Sequence, residues 1–338
     1  MKLKVSLLFL ITSSITILSV SSAWAGWVSA PSMQQYHGNL GGAVDLEGRI
    51  YAIGGRVDYY NQGTIDGKVE RFDENTGLWT YTTPLNIPRS YLGAATDLTG
   101  KIYAVGGFAS PQGAPVNTVE RFDTTTEIWS SVANMNIARL SPCVVADSLG
   151  RIYAIGGSDG SNPLSSIEKY DSLLNKWDIV TNLPTPRSGH NVTLGPDGAI
   201  YIIGGWDGSH YLNSVLKYSP DLNTFTEVAP ISVARNVAAS TTGLNGYIYA
   251  ISGYNGSYTD IVERYDYITN SWSTTSPLLN ARNNSGVALA PSGYIYIFGG
   301  DVGYYRTNTV EKLSTIPEPA TLLILGLGGL VLLRKRRT

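Results

Sequence analysis

The sequence predicts an all-β protein built from six copies of one unit. The copies are marked by a phrase that reads Ile-Tyr-Ala-Ile-Gly-Gly at residues 50–55 and returns five times, its first glycine position recurring after 52, 50, 48, 48 and 47 residues. A period near fifty residues is typical of repeat proteins in which each copy is one supersecondary unit. β-Branched and aromatic residues fill short runs within each copy, and clusters of Asn, Asp, Pro and Gly separate the runs, which favours antiparallel strands.

Further markers recur in every copy at fixed distances from the glycine pair. A Tyr lies three positions before the first glycine, and a phrase similar to Val-Glu-Arg-Phe follows the pair. A basic residue lies seventeen positions before that glycine, at His37, Arg89, Arg139, Arg187, Arg235 and Arg282. An aromatic residue lies ten positions earlier still, at Trp27, Trp79, Trp129, Trp177, Phe225 and Trp272. Each copy therefore predicts four strands: A follows the basic residue, B ends at the glycine pair, C carries the Val-Glu-Arg-Phe phrase and D begins at the aromatic residue.

One interval changes length between copies. The distance from the first glycine to the aromatic position of strand C, which Leu313 fills in the last copy, is 18, 16, 14, 14, 13 and 14 residues. Because insertions are tolerated in surface loops and not inside paired strands, the variation is assigned to the B–C loops. All six B–C loops are predicted to emerge on one face.

The order of double glycine, aromatic residue and tryptophan resembles the kelch repeat, over residues 27 to about 314. This resemblance implies a β-propeller in which each repeat forms one four-stranded blade. The chain begins with a lone D run at Trp27 and ends with A, B and C runs, because no Trp follows Leu313. We therefore expect a six-bladed propeller over residues 26–316 whose last blade is closed by the N-terminal strand.

The first 25 residues predict export. Lys2 and Lys4 precede an apolar run from Val5 to Val20, and Ala23-Trp24-Ala25 ends the segment. Basic, apolar and small-residue parts in this order are typical of a secretory signal peptide, here cleaved after Ala25. The alternative interpretation is an N-terminal membrane anchor.

The C-terminal residues 317–338 predict a sorting tail. Pro317-Glu318-Pro319 is followed by an apolar run from Ala320 to Leu333 and a basic end, Arg334 to Arg337. A helix of this run would span about 21 Å, shorter than a hydrocarbon core of about 30 Å, and flanking Lys and Arg side chains can extend it as a transmembrane helix. The three parts together resemble the PEP-CTERM sorting signal of Gram-negative bacteria. The resemblance implies processing by an exosortase, transient anchoring in the inner membrane and release to the extracellular side or outer surface; a plain membrane anchor is the alternative.

Charge and composition exclude several classes of function. The segment between the two termini carries 18 basic and 25 acidic residues, a net charge of about −7, which argues against nucleic acid and anionic membrane surfaces as partners. The single cysteine, Cys143, rules out an intramolecular disulfide and occupies a strand A position where other copies have small residues. His37, His190 and His210 occupy different repeat positions without the close spacing of a metal site. We expect neither a metal nor a cofactor.

The B–C loops are the predicted binding surface, because their sequences do not repeat. They carry aromatic residues and a histidine among Gly, Ser, Asn and Asp, which suits stacking on sugar faces or contact with protein partners. The candidate residues are Tyr59, Tyr60, Phe108, Trp206, His210, Tyr211, Tyr254, Tyr258, Tyr304 and Tyr305. The ring of basic residues could bind an anion at a channel mouth, but a residue present in every copy favours a role in joining blades.

The sequence leaves three functions open. The favoured hypothesis is a secreted, non-catalytic binding module of an extracellular polysaccharide or cell-surface matrix, as in a biofilm, with glycan or surface protein as partner. The second is a carbohydrate-active enzyme using the central pocket, because the resemblance extends to sialic acid mutarotases and to copper radical oxidases. The oxidases need a Cys joined to a Tyr and two His ligands, and Cys143 has no His nearby in its repeat. The third is a purely structural matrix protein.

Overall fold

All regular structure in the described residues is β-sheet. The computed structural model describes residues 26–57, 64–109 and 113–316, and these ranges contain 29 strands and no helix. Six antiparallel sheets of four strands each account for most of the strands. Five short strands pair beside the B–C loops: Arg89–Ser90, Phe108–Ala109, Ala114–Pro115, Asp301–Val302 and Tyr305–Arg306.

The four strands of each sheet follow the predicted order. The A strands are Gly41–Val44, Gly93–Thr96, Cys143–Ala146, Asn191–Leu194, Asn236–Thr242 and Gly286–Leu289. The B strands are Ile50–Ile53, Ile102–Val105, Ile152–Ile155, Ile200–Ile203, Ile248–Tyr254 and Tyr294–Phe298. The C strands are Val69–Asp73, Val119–Asp123, Ser166–Asp171, Val215–Ser219, Tyr258–Asp266 and Val310–Ser314. The D strands are Leu78–Thr82, Ile128–Val132, Lys176–Asn182, Thr224–Val228, Ser271–Thr274 and, for the last sheet, Val28–Ala30.

The sheets form a closed circle. Each A strand contacts the A strand of the next sheet, and the last A strand contacts the first. The A strands therefore surround the axis, and the B, C and D strands follow outward. The prediction of an all-β propeller is confirmed.

The N-terminal strand completes the last sheet. Val28–Ala30 pairs antiparallel with Val310–Lys312 of strand C. Trp27 and Met33 flank this strand and are both buried, and the Met33 amide donates to the carbonyl of Asn308 at 2.9 Å. The two ends of the described chain therefore share one sheet.

Buried B strands and D-strand tryptophans hold neighbouring sheets together. The B strand of the second sheet, Ile102–Val105, is buried at every position because other sheets cover both of its faces. Trp129 packs on Phe122 with ring centroids 4.9 Å apart, and its indole N–H donates to the carbonyl of Thr83, at the end of the preceding D strand. Aromatic packing and this hydrogen bond together fix the position of one sheet against the next.

The glycine pair marks a close approach between repeats. Gly54 has φ of 58°, and a Cβ atom there would lie 2.6 Å from the carbonyl oxygen of Arg89. Glycine is required at a position that combines a left-handed backbone with such a close contact. Ser252 is the exception among the six copies: it adopts φ of 57°, and its Oγ accepts the amide of Arg282 at 3.0 Å.

Several predicted segments lie outside the described ranges. These are the signal peptide, the C-terminal tail with Pro317, Glu318 and Pro319, and two of the candidate binding residues, Tyr59 and Tyr60. Within the ranges that are described, no helix has the length and hydropathy needed to cross a membrane.

Candidate binding face at the mouth of the central channel

Four predicted loop aromatics form one connected group across the fourth and fifth repeats. Trp206 and Tyr211 meet with ring centroids 4.9 Å apart, Tyr211 and Tyr254 with 6.2 Å, and Tyr254 and Tyr258 with 5.2 Å, all edge to face. The rings are half-buried, so each presents part of its surface to solvent. We call Trp206, Tyr211, Tyr254 and Tyr258 the aromatic arc.

Local turn chemistry positions the first half of the arc. Asp207 accepts the amides of Ser209 and His210 through Oδ1, each at 2.7 Å, and these hydrogen bonds lower the pKa of its carboxyl. Gly208, at φ of 104°, allows the tight reversal that pairs Trp206 with Tyr211. The Asp-Gly-Ser sequence thus builds a hairpin that places two aromatic rings side by side.

The far end of the arc is anchored on the last repeat. The hydroxyl of Tyr258 donates to the carbonyl of Gly303 at 2.8 Å. Tyr304, next in the chain, is 82% exposed, and Tyr305 is also exposed. The arc and these two tyrosines therefore extend over the fourth, fifth and sixth repeats.

Phe108 belongs to a second group on the same face. The guanidinium carbon of Arg56 lies 5.8 Å from the ring centroid of Tyr91 and 5.9 Å from that of Phe108. Both distances are within the range of cation–π attraction. Sequence reasoning named Phe108 and missed Arg56 and Tyr91.

A ring of left-handed residues surrounds the channel mouth. The position two residues after the basic marker has positive φ in five repeats, at Asn39, Tyr91, Ser141, Gly189 and Asn284. All five line a cavity of about 110 Å³, the mouth of the central channel, which opens on the face that carries the B–C loops. We call this face the loop face. The fifth repeat departs, because buried Val237 fills this position.

Two buried polar atoms at the mouth have no hydrogen-bond partner among the described residues. They are Oδ1 of Asn39 and Oδ1 of Asn236. Buried polar groups are usually paired, so unpaired groups that line a cavity are candidates for ligand contacts. Burial and the nearby charge of Arg187 lower the pKa of His190 to about 3. The imidazole is therefore neutral, and it forms hydrogen bonds with the backbone of Ile155 and Arg187.

The buried His190 predicts a measurable pH dependence of stability. Below pH 6.5 the unfolded chain binds a proton that the folded chain excludes, so this residue lowers the free energy of unfolding by about 1.4 kcal/mol per pH unit down to about pH 3. His190→Leu, which restores the leucine found at Leu40 and Leu92, should remove this component. Urea unfolding between pH 7 and pH 4 measures it, with exposed His210→Gln as the control. Equal pH slopes in His190→Leu and the parent would contradict a neutral buried His190.

A carboxylate lies between the sixth and first repeats. Asp301 is buried; its Oδ2 accepts from Asn284 Nδ2 at 2.8 Å and its Oδ1 lies 3.8 Å from Arg306 Nε. Burial raises the pKa of Asp301, while the Asn284 hydrogen bond and the charges of Arg306 and Arg56 act in the opposite direction. Gly38 leaves the necessary space, since a Cβ there would lie 2.6 Å from Oδ1.

Below the mouth, the central channel is lined by uncharged residues. It encloses about 440 Å³ between the A strands, and no charged side chain is among the described residues that line it. Cys143 lies in this wall, where its Sγ donates to the carbonyl of His190 at 2.8 Å and burial raises the pKa of its thiol. A protonated, hydrogen-bonded thiol is a poor nucleophile and a poor metal ligand.

The six basic residues that mark the repeats do not line the channel; they lie between the D–A connections and the C strands. Five of the six contact a carboxylate of strand C, in the pairs His37–Glu70, Arg89–Glu120, Arg139–Glu168, Arg235–Glu263 and Arg282–Glu311. In the third repeat, Glu168 also accepts the amides of Asn136 and Ile137, so the pair ties the D–A connection to strand C.

Arg187 is the exception, because Leu216 occupies the position of the strand C glutamate. Its guanidinium donates to the carbonyl of Gly204 at 3.1 Å and to the hydroxyl of Ser214 at 3.3 Å, and its Nε has no partner among the described residues. Burial lowers the pKa of Arg187 to about 10, and the charges of Glu227 and Asp207 offset only part of this effect.

Comparison with known proteins identifies the family. A family model described as the KLHDC2/KLHL20/DRC7 Kelch-repeats domain matches residues 42–241, more than half of the chain, and a Kelch motif model matches residues 235–279. The chain belongs to the kelch-repeat family. The PEP-CTERM protein-sorting motif matches residues 315–337 of this kelch protein. The motif indicates export with a transient, membrane-anchored C-terminal stage in Gram-negative bacteria.

Two known proteins are similar to this kelch protein, one in sequence and one in structure. Kelch-like ECH-associated protein 1A of Danio rerio is 37% identical over 81 residues, which are 24% of this chain and 13% of that protein. The structure of YjhT superposes with a TM-score of 0.71 at 15% identity, covering 83% of this chain and 95% of that one. At this identity the superposition shows the propeller fold alone.

Proposed function

We propose that this kelch propeller is an exported, non-catalytic recognition module that binds a glycan or a surface protein in an extracellular matrix. The observation that carries the proposal is the aromatic arc, four adjoining rings presented by loops on a rigid scaffold. Aromatic faces stack on the apolar faces of sugars, and tyrosine hydroxyls add hydrogen bonds at low conformational cost.

The mouth beside the arc supplies complementary polar groups. The unpaired amide oxygens of Asn39 and Asn236 accept hydrogen bonds, and the hydroxyls of Tyr211 and Tyr254 in the arc can both donate and accept. Sugar hydroxyls need this mixture of donors and acceptors next to an aromatic platform. An extended glycan, or a loop of a partner protein, would lie on the arc and place one group in the mouth.

Export places the proposed partners outside the cell. We propose that residues 1–25 are a signal peptide, that residues 26–316 form the mature module and that an exosortase processes the tail at residues 317–338. The sorting motif supports this order of events. The module would then act in an extracellular polysaccharide or on the outer surface.

A second candidate function is supported by Asp301. A buried carboxylate with a raised pKa, close to Arg306 and Tyr91 at the rim of the mouth, is the arrangement that acid–base chemistry on a sugar would use. The uncharged channel lining below the mouth favours the binding role over this enzyme. If the enzyme hypothesis holds, Asp301→Asn should abolish sugar turnover and leave glycan binding intact.

A glycan array tests the proposed binding role. Residues 26–316 would be screened beside a variant carrying Trp206→Ala, Tyr211→Ala and Tyr254→Ala. With about 1 kcal/mol per ring, the variant should bind more than a hundredfold more weakly. A matched control, Tyr81→Ala with Tyr267→Ala, removes two exposed tyrosines that are not part of the aromatic arc.

Each outcome of the array bears on one part of the proposal. Loss of binding in the arc variant alone supports glycan recognition by the arc. Equal binding by the arc variant and the control would contradict it. No binding of the parent protein to any glycan would remove the glycan and leave a protein partner or a structural role.

A further inference from the structure

The face opposite the aromatic arc exposes aliphatic side chains. We call the A–B and C–D turns together the turn face, because antiparallel A to D order places both sets of turns at the same end. In the A–B turns the exposed aliphatic residues are Leu46, Leu98, Leu149 and Leu244. In the C–D turns they are Leu173, Leu174, Leu222 and Ile268. Contiguous exposed apolar side chains mark an interaction surface, whereas single ones need no explanation.

Direct contacts make the inner part of this surface continuous. A Cβ atom on Gly100 would lie 3.1 Å from the side chain of Leu46, and one on Gly150 would lie 2.9 Å from that of Leu98. Gly48 lies in the same way against Pro291. The A–B turns of the sixth, first, second and third repeats therefore abut in order. Leu46, Leu98 and Leu149 form an apolar rim along this part of the channel end, whereas a Cβ on Gly198 of the fourth repeat would have no neighbour within 4 Å. The opposite face differs, since its exposed side chains in the B–C loops are tyrosines and polar residues.

The chain leaves the propeller from the turn face. Strand C of the last sheet ends at Ser314, and Ile316 contacts the A–B turn at Gly293, which also lies near Leu244. The sorting motif matches from residue 315 onward. Three residues separate Ile316 from Ala320, where the apolar run begins, and the four steps between consecutive Cα atoms reach at most about 14 Å at about 3.5 Å per step. While the motif is in the membrane, this tether holds the turn face close to the lipid surface.

We propose that the turn face docks on the bilayer during the anchored stage, with its leucine rim in the interfacial layer. Apolar side chains presented in one plane partition into the interface, and a short tether raises their effective concentration there. Several carboxylates of this face are paired, as in Lys101–Asp123, Arg151–Asp221 and Lys217–Asp197. Glu47 is paired with Arg49 but well exposed, and the segment between the two termini has a net charge of about −7, so the lipid that fits is zwitterionic and not anionic.

Docking would orient the module for its function. The arc lies at the end of the propeller that is opposite the docked face, so it points away from the membrane. Processing of the tail removes the tether and, with it, the high local concentration that favours docking. The released protein then leaves the lipid surface.

Lipid-borne quenchers test the docking. The full chain would be purified from membranes, reconstituted into phosphatidylcholine vesicles containing nitroxide lipid, and labelled with a fluorophore at Leu173→Cys or at Ser209→Cys on the loop face. Both variants carry Cys143→Ser. We expect severalfold stronger quenching at position 173 than at position 209. Replacing half of the lipid with phosphatidylglycerol should weaken the quenching at position 173.

A rim variant separates docking from tethering. Leu46→Ser, Leu98→Ser and Leu149→Ser should reduce quenching at position 173 to the level of position 209 while the chain stays in the vesicles. Equal quenching at both positions in the parent, or unchanged quenching in the rim variant, would overturn the proposal. Concentration-dependent shielding of the 173 label without lipid would also overturn it, because a second copy of the chain would then be the occupant.

Discussion

Deleting residues 27–33 is expected to abolish cooperative unfolding of the propeller. The deletion removes strand D of the last sheet, whose residues Val28 to Ala30 pair with Val310 to Lys312. It also removes buried Trp27 and Met33, each worth about 2–5 kcal/mol when truncated to alanine. The combined loss is comparable to the whole stability of a typical domain, about 5–15 kcal/mol. Calorimetry or circular dichroism during heating measures the effect.

The control for this deletion changes an exposed residue of the same strand. Val28→Ala leaves both the backbone pairing and the two buried side chains in place. The deletion should also expose the edge of Val310–Ser314 and promote self-association. An unchanged melting curve for the truncated protein would contradict closure of the ring by the N-terminal strand.

The second large effect is a contrast between two buried arginines. Arg139→Met should cost about 3–5 kcal/mol, because it leaves Glu168 buried without its cation. Arg187→Met should cost less than about 1.5 kcal/mol, since no carboxylate is left behind and a buried charge is removed. Unfolding midpoints in urea at constant slope measure both values.

A double substitution separates the ion pair from packing. Arg139→Met combined with Glu168→Met should recover part of the loss, because an apolar pair of similar volume leaves no buried charge unpaired. Equal destabilisation by Arg139→Met and Arg187→Met would show that the strand C glutamate does not determine the role of the basic residue.

The repeat made the fold predictable. Tyrosine, glycine, arginine and tryptophan markers recur at fixed spacing because each serves the same packing contact in each sheet. Trp27 without preceding A, B and C runs, and Leu313 without a following Trp, indicated the closure that pairs Val28 with Lys312. Because these residues recur at fixed spacing, the sequence alone indicates the geometry of the strands and their packing.

The site was only partly predictable, because it consists of departures from the repeat. Loop aromatics such as Trp206 and Tyr254 could be assigned to one face, but which rings meet depends on the curvature of adjacent sheets. His190 was visible as the one histidine at a repeat position where the other copies have Leu40, Leu92, Pro142, Ala238 and Ser285. Leu216 in place of the strand C glutamate signalled the unpaired Arg187 in the same way.

Other residues of the mouth had no comparable signal. Asn39, Tyr91 and Asn284 share a left-handed backbone rather than a residue type, so alignment of the repeats does not single them out. Asp301 is buried by Gly38 and Arg306 from different repeats. Contacts between distant repeats of this kind are not encoded in local spacing.

Fluorescence of Trp206 is the most direct test of recognition by the arc. Five tryptophans lie between sheets, in or directly beside the D strands: Trp27, Trp79, Trp129, Trp177 and Trp272. Trp206 lies on the loop face beside Tyr211. Residues 26–316 would be titrated to saturation with the tightest glycan from the array, beside Trp206→Phe. The account predicts a saturable change in emission that Trp206→Phe eliminates. Saturation without any change in the emission of Trp206 would contradict binding at the aromatic arc.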